Sequence, residues 1–238
     1  MKLDKGLVFM SDTRTNSGVD NISTFRKMHV FSKPGERFIT IMTAGNLATT
    51  QAVISQLAER TKAPEDRNPS ILNEPSMFQV AQMVGALLRE TIRSREQTGL
   101  NAETTFNATL IVGGQIKGMQ PRLFLIYPEG NFIEASADTP YFQIGETKYG
   151  RPILVRGFQS DMSFESAVKL LMVSFDSTMA ANLSVAPPLD MLILPDEAME
   201  PLQQRRIAED DPYFNAISDG WSDALRKAFY SLPDYVIE

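Results

Sequence analysis

No cysteine occurs among the 238 residues, which excludes disulfides, thiolate nucleophiles, iron–sulfur clusters and cysteine-ligated zinc from this stretch of chain and fits a reducing, cytoplasmic home. His29 is the only histidine, so a two-histidine metal site cannot be built within one chain, and a Ser-His-Asp triad would have to use it. Within an apolar segment, His29 reads as a core or interface residue rather than a ligand. No apolar run approaches the ~18 residues of a membrane span, and the four apolar residues at 7–10 fall far short of a secretory signal. Basic residues are also the minority: 23 Lys and Arg against 29 Asp and Glu give a formal charge of −6, which argues against a nucleic-acid partner. What remains is ordinary globular composition, 43% hydrophobic and 22% charged, enough for one large core.

Short runs rich in β-branched and aromatic residues predict strands at 7–10, 28–31 and 37–43. Between the first two lies 11–18, polar and turn-forming at almost every position, read as a loop. After Asn46 the period changes to that of a helix, with Leu47, Ile54 and Leu57 on one face and Pro64 as its stop. Residues 65–75 form a connector, and Pro75 opens a second helix carrying Met77, Val80, Val84, Leu87 and Leu88. Strands follow at 106–112, 122–127 and 132–135, with Gly113-Gly114 and Gly118 read as hairpin turns. Ser163 is placed to cap a third helix through Phe164, Val168, Leu171 and Phe175, and 189–194 supplies another strand. The remainder, about 195–238, reads as an acidic, irregular extension closed by an amphipathic helix through Ile217, Trp221, Leu225 and Phe229 that ends at Pro233. The order of elements does not alternate as a Rossmann fold would. It predicts a single α+β domain over 1–238, two stacked antiparallel sheets covered by helices on both outer faces, a four-layer αββα sandwich.

Two places could carry chemistry. Asp12 and Lys27 sit at the ends of neighbouring strands, which can bring a carboxylate to an ammonium, although taken alone such a pair is more often an ordinary ion pair. Thr43-Ala44-Gly45-Asn46 joins a strand to a helix, a geometry that points backbone N–H groups at an anion or oxyanion, or that merely turns the chain. The twelve methionines are scattered and read as packing.

Three blocks together carry a resemblance: Ser11-Asp12-Thr13-Arg14-Thr15-Asn16-Ser17-Gly18-Val19-Asp20, Ile144-Gly145-Glu146-Thr147-Lys148-Tyr149-Gly150 and Ser174-Phe175-Asp176-Ser177-Thr178-Met179. With Phe25-Arg26-Lys27-Met28-His29 and Thr43-Ala44-Gly45, they resemble the bacterial "ancestral β-subunit" (Anbu) branch of proteasome-type subunits over nearly the whole chain. The resemblance implies an N-terminal-nucleophile hydrolase in which a processed threonine attacks an amide and its free α-amine is the general base. Lys27 then matches the active-site lysine and Asp12 the carboxylate that holds it, while Gly45 offers its N–H to the oxyanion. Thr15, Gly45 and Leu47 match substrate contacts, and Thr147 and Asn182 stand where relatives carry a serine and an aspartate.

In relatives the nucleophilic threonine lies roughly half a dozen residues ahead of the position of Met1, so none of these residues is expected to be the nucleophile. The resemblance thus implies a cytoplasmic, self-associating threonine-type peptidase or amidase once that residue is present, built into rings or spirals, with no cofactor and no metal. The helices from Leu47 and Pro75, with the terminal helix, are the expected contact layers. The alternative is a non-catalytic oligomeric protein of the same fold.

Overall fold

A computed structural model of the chain describes residues 1–16, 22–62, 69–98 and 105–237. In chain order the elements are β1 (Lys2–Leu3), β2 (Gly6–Ser11), β3 (Arg14–Asn16), β4 (Ile22–Thr24), β5 (Met28–Lys33), β6 (Arg37–Gly45), α1 (Leu47–Lys62), α2 (Met77–Thr98), β7 (Ala108–Ile116), β8 (Arg122–Ile126), β9 (Phe132–Glu134), α3 (Arg151–Gly157), α4 (Phe164–Met179), β10 (Leu189–Pro195), β11 (Gln203–Ile207) and α5 (Pro212–Tyr230). The strands form a five-stranded sheet, β5-β6-β7-β8-β9, a four-stranded sheet, β1-β2-β10-β11, and a small β3-β4 ribbon, all antiparallel.

The period of two along a strand divides its apolar residues between two cores. In β2, Leu7 and Phe9 face the other sheet with Met28, Phe38, Ile111, Leu123 and Leu192, while Val8 and Met10 face Leu154, Val168 and Leu171 of the helices outside. In β6, Ile39 and Ile41 turn away from β2 onto Val53 and Leu57 of α1 and Val80, Val84 and Leu88 of α2. Both sheets are therefore covered on both faces, and their central strands are buried along nearly their whole length rather than on alternate residues. The result is an α+β sandwich of four layers: α1/α2, the five-stranded sheet, the four-stranded sheet, and α3/α4/α5.

Several local readings differ from the structure for physical reasons. Gly113 and Gly114 are not turns; they lie inside β7, paired with Thr40 and Ile39 of β6. A Cβ on Gly113 would stand 2.7 Å from the Phe9 ring and 2.8 Å from Leu123 Cδ1, so the missing side chain is what lets the two sheets close. The polar stretch after Ser11 forms the β3-β4 ribbon, with Thr15 opposite Ser23. Residues 17–20 of that stretch and the stop at Pro64 lie outside the described residues. The second helix begins at Met77, capped by Ser76, whose Oγ accepts the Gln79 N–H. Ser163 caps α4 by accepting the Ser166 N–H. The region after 195 is less irregular than its composition suggests: β11 pairs with Leu189–Ile193 of β10, and Phe214 of α5 is buried against the α3–α4 layer.

Candidate active site

Asp12 follows β2 and Lys27 precedes β5, and the fold brings the two ends together at the rim between the sheets. Lys27 Nζ donates to both carboxylate oxygens of Asp12, at 2.8 and 3.0 Å, and Asp12 Oδ2 also accepts the Arg14 N–H. The Lys27 backbone is held in turn, its carbonyl accepting the Thr43 N–H of β6. The Asp12 side chain is 11% exposed and that of Lys27 23%. Burial pushes the Asp12 carboxyl above its ordinary value, with the Lys27 charge pulling the other way.

The pair lines a cavity of about 360 Å³. Thr15, Gly45 and Leu47 line it too, so the structure gathers Asp12, Lys27 and all three residues read as substrate contacts. Gly45 has φ +104°, and a Cβ there would fall 2.5 Å from the Asn107 carbonyl, so no other residue fits. Antiparallel alternation turns its N–H toward the same edge of β6 as that of Thr43, but beyond the end of β5, into the cavity. Directly after it, Asn46 caps α1 by accepting the Thr49 N–H, which adds the helix N-terminus to the same wall.

Thr147 is not part of the lining. Its neighbour Glu146 is, while the Thr147 carbonyl accepts the Arg151 N–H that begins α3. The Lys148 backbone N–H and the Asn182 amide bond to Glu146 and hold its carboxyl below the usual range. Asn182 stands just behind the cavity, its Oδ1 accepting from both Ser184 N–H and Ser184 Oγ. The sequence reading missed His29, Ser11, Gln143, Ser174 and Thr178, all of which line the cavity. Ser11, Ser174 and Thr178 fall within segments that carry the resemblance, and His29 was read as a core or interface residue, but only the fold, which draws these residues from four separate elements or loops, brings them to one cavity. Among the described residues no three His, Asp or Glu side chains gather as a metal site would need.

One wall of the cavity is an open strand edge. Val8 exchanges both hydrogen bonds with Met1, at 2.8 and 3.0 Å, and two residues on, Met10 turns its N–H and C=O to that same edge beyond the end of β1. Ser11 Oγ and Gln143 Oε1, both buried and both in the lining, have no hydrogen-bond partner. Such unmatched polar atoms are rare in finished interiors, and these two lie in the cavity wall.

Comparison with known proteins gives this arrangement a context. Residues 1–187 match the proteasome-subunit family. Anbu (ancestral β-subunit) from Yersinia bercovieri is 48% identical, with TM-score 0.93 and coverage of 100% of this chain and 98% of that one. Anbu from Hyphomicrobium sp. strain MC1 is 46% identical, with TM-score 0.89 over 99% and 97% of the two chains. A chain of the helical assembly of the Anbu complex from Pseudomonas aeruginosa is 44% identical, with TM-score 0.92 over 99% and 96%. No curated protein matches. The αββα sandwich, the Asp12–Lys27 pair at its rim and these likenesses together show that the chain belongs to the proteasome-subunit family, in its Anbu branch.

Proposed function

We propose that this protein is a self-associating, threonine-type peptidase or amidase whose nucleophile is the first residue of a strand that continues β1 upstream of Met1. The observation that carries this reading is the open edge of β2 leading to the Asp12–Lys27 pair. In the register that sets Lys2 opposite Leu7, Met1 stands opposite Val8. The four residues ahead of Met1 would then stand opposite Phe9, Met10, Ser11 and Asp12, pairing the free edge and bringing a terminal hydroxyl and α-amine beside Lys27. Burial lowers the amine of Met1 itself to about 5, and a peptide N–H at that place would satisfy the Val8 carbonyl with no charge to desolvate.

The chemistry follows from the parts. An α-amine titrates near ~7.7 to 8.0, and the Lys27 cation lowers it into the range of a useful base at neutral pH. The amine takes the hydroxyl proton, the oxygen attacks the amide carbonyl, and the Gly45 N–H stabilises the oxyanion. The protonated amine then hands its proton to the departing nitrogen, leaving an ester that water cleaves. Asp12 holds Lys27 in place throughout. Peptide substrates suit the cavity, since Thr15 stands on a ribbon that can pair with an extended backbone. Cytoplasmic location and assembly into rings or spirals are part of the same proposal.

The test uses the chain extended by a threonine-led segment of four to six residues. Turnover of peptide amides, and a mass gain equal to one added β-lactone at the terminal threonine, are expected. Lys27→Ala should lower turnover at least ~100-fold, the order of magnitude for a lost proton-transfer arrangement. Unchanged turnover in Lys27→Ala overturns the assignment of that residue. Absence of acylation with the threonine in place favours the non-catalytic oligomeric protein.

A further inference from the structure

We propose that the space between the β5–β6 pair and the first turn of α1 takes a substrate side chain ending in a carboxylate, with His29 as the specificity-determining residue; this rests on the peptidase reading above. Partners across an antiparallel pair share a face, and His29 stands opposite Ile41, which packs on Val53 and Leu57 of α1. His29 therefore turns toward α1. The ladder continues from the Thr43 N–H to the Lys27 carbonyl, and Lys27 and Thr43, each two residues along its strand, turn the same way. Leu47 and Gln51, one helical turn apart, close the space from α1, and all five residues line the cavity.

Position relative to the reaction names the substrate residue that this space reads. The Gly45 N–H fixes the attacked carbonyl in the mechanism above, and Thr43 and Leu47 stand two residues to either side of Gly45. The side chain beside that carbonyl therefore enters between them and meets His29 and Gln51. Of these walls only Leu47 is apolar. An apolar side chain would displace water from His29, Thr43 and Gln51 and offer nothing in return, which a site built for hydrogen bonding penalises heavily.

Charge then selects among polar side chains. The charged residues of the cavity wall are Arg14, Arg26 and Lys27 against Asp12 and Glu146, a positive excess on a chain whose net charge is −6. Most of them are committed. Lys27 is paired to Asp12, the Arg14 guanidinium donates to the Leu183 carbonyl, and Glu146 is held by Lys148 and Asn182. Of the two charges that act on His29 most directly, Asp190 is bound by Arg206, while Arg26 has no carboxylate partner among the described residues. A lysine or arginine side chain would meet Arg26 as a like charge. A carboxylate is attracted by Arg26 and can accept from the His29 ring and the Gln51 amide. It also favours the protonated imidazole, so recognition strengthens as pH falls toward the His29 value.

The experiment has a binding arm and a turnover arm. In the first, the His29 ring of the full chain is titrated by NMR with saturating acetyl-Ala-Ala-Glu-amide or acetyl-Ala-Ala-Leu-amide. The glutamate peptide is expected to raise the midpoint by ~1 unit and the leucine peptide to leave it in place. In the second, the threonine-led chain is given coumarin amides of the glutamate, leucine and lysine peptides, with kcat/KM expected ~100-fold higher for glutamate than for either other. His29→Leu, and Gln51→Leu at an exposed position of α1, should each lower that ratio at least ~10-fold, the order of a lost hydrogen bond to a charged group. A glutamate ratio at or below one, or one that neither variant changes, overturns the specificity. A His29 midpoint that the glutamate peptide does not move overturns the carboxylate site. A threonine-led chain that turns over none of the three amides overturns the peptidase reading instead, and the His29 midpoint then decides the site by itself.

Discussion

Removing the Asp12 carboxylate isolates one physical claim, that the ion pair at the rim is largely sheltered from water. In Asp12→Ala, Lys27 Nζ loses both of its described hydrogen bonds, at 2.8 and 3.0 Å, in a place where its side chain is 23% exposed. An exposed pair would contribute ~0–1 kcal/mol, while stranding one partner of a fully buried pair costs ~3–5 kcal/mol. With water reaching part of Lys27, the expected loss is about 2–3 kcal/mol. Urea unfolding would read it as a lowered midpoint with an unchanged slope. A cycle with Lys27→Met adds a second check: the double variant should be clearly less destabilised than the two single losses together. The pH dependence carries its own sign. Burial raises the folded Asp12 value above its ordinary 3.8, so the native state holds the proton more tightly. This group's contribution is fully present below 3.8 and is lost as pH rises through the folded value, and Asp12→Ala should erase that part of the profile. A loss under about 0.5 kcal/mol, or additive singles, would refute the sheltered pair.

Other outcomes follow from single sites. Gly113→Val should destabilise by about 1–3 kcal/mol, because its branches meet Phe9 and Leu123 between the sheets; melting at the wild-type temperature would contradict that packing. Ser163→Ala should cost ~1 kcal/mol in thermal or urea unfolding through the lost cap of α4. His29, the single imidazole, has its value lowered from 6.5, first by burial and then by Arg26. Its stabilising contribution is therefore present above 6.5 and lost as pH falls toward the folded value. One NMR titration reads it directly, with a midpoint below 6.5 expected and one at or above 6.5 contradicting the burial.

The layers were legible because apolar runs, a change of period after Asn46 and caps such as Ser163 are local signals. Gly113 and Gly114 defeated that reading: they look like turn residues, but their role is to admit the Phe9 ring and the Phe38 backbone, which lie about 75 residues or more away in the chain. β11, with its sequence Gln-Gln-Arg-Arg-Ile, looked irregular because an edge strand carries charge on its open side. The short α3 has only one buried residue, Leu154, and so shows little periodicity. At the site, Asp12, Lys27 and Gly45 could be found because each ends a strand. Gln143 could not, since nothing in its own neighbourhood records the cavity that the fold closes around it; Glu146, Ser174 and Thr178 lie within the segments that carry the resemblance, but no local pattern singles them out.

The central claim is that a nucleophile upstream of Met1 completes this cavity, and N-terminal sequencing with intact mass on the protein made from its native locus tests it most directly. A mature chain that starts with threonine or serine four to six residues before Met1 is the predicted result. A mature chain starting at Met1 would contradict the account and leave Asp12 and Lys27 with no nucleophile to serve.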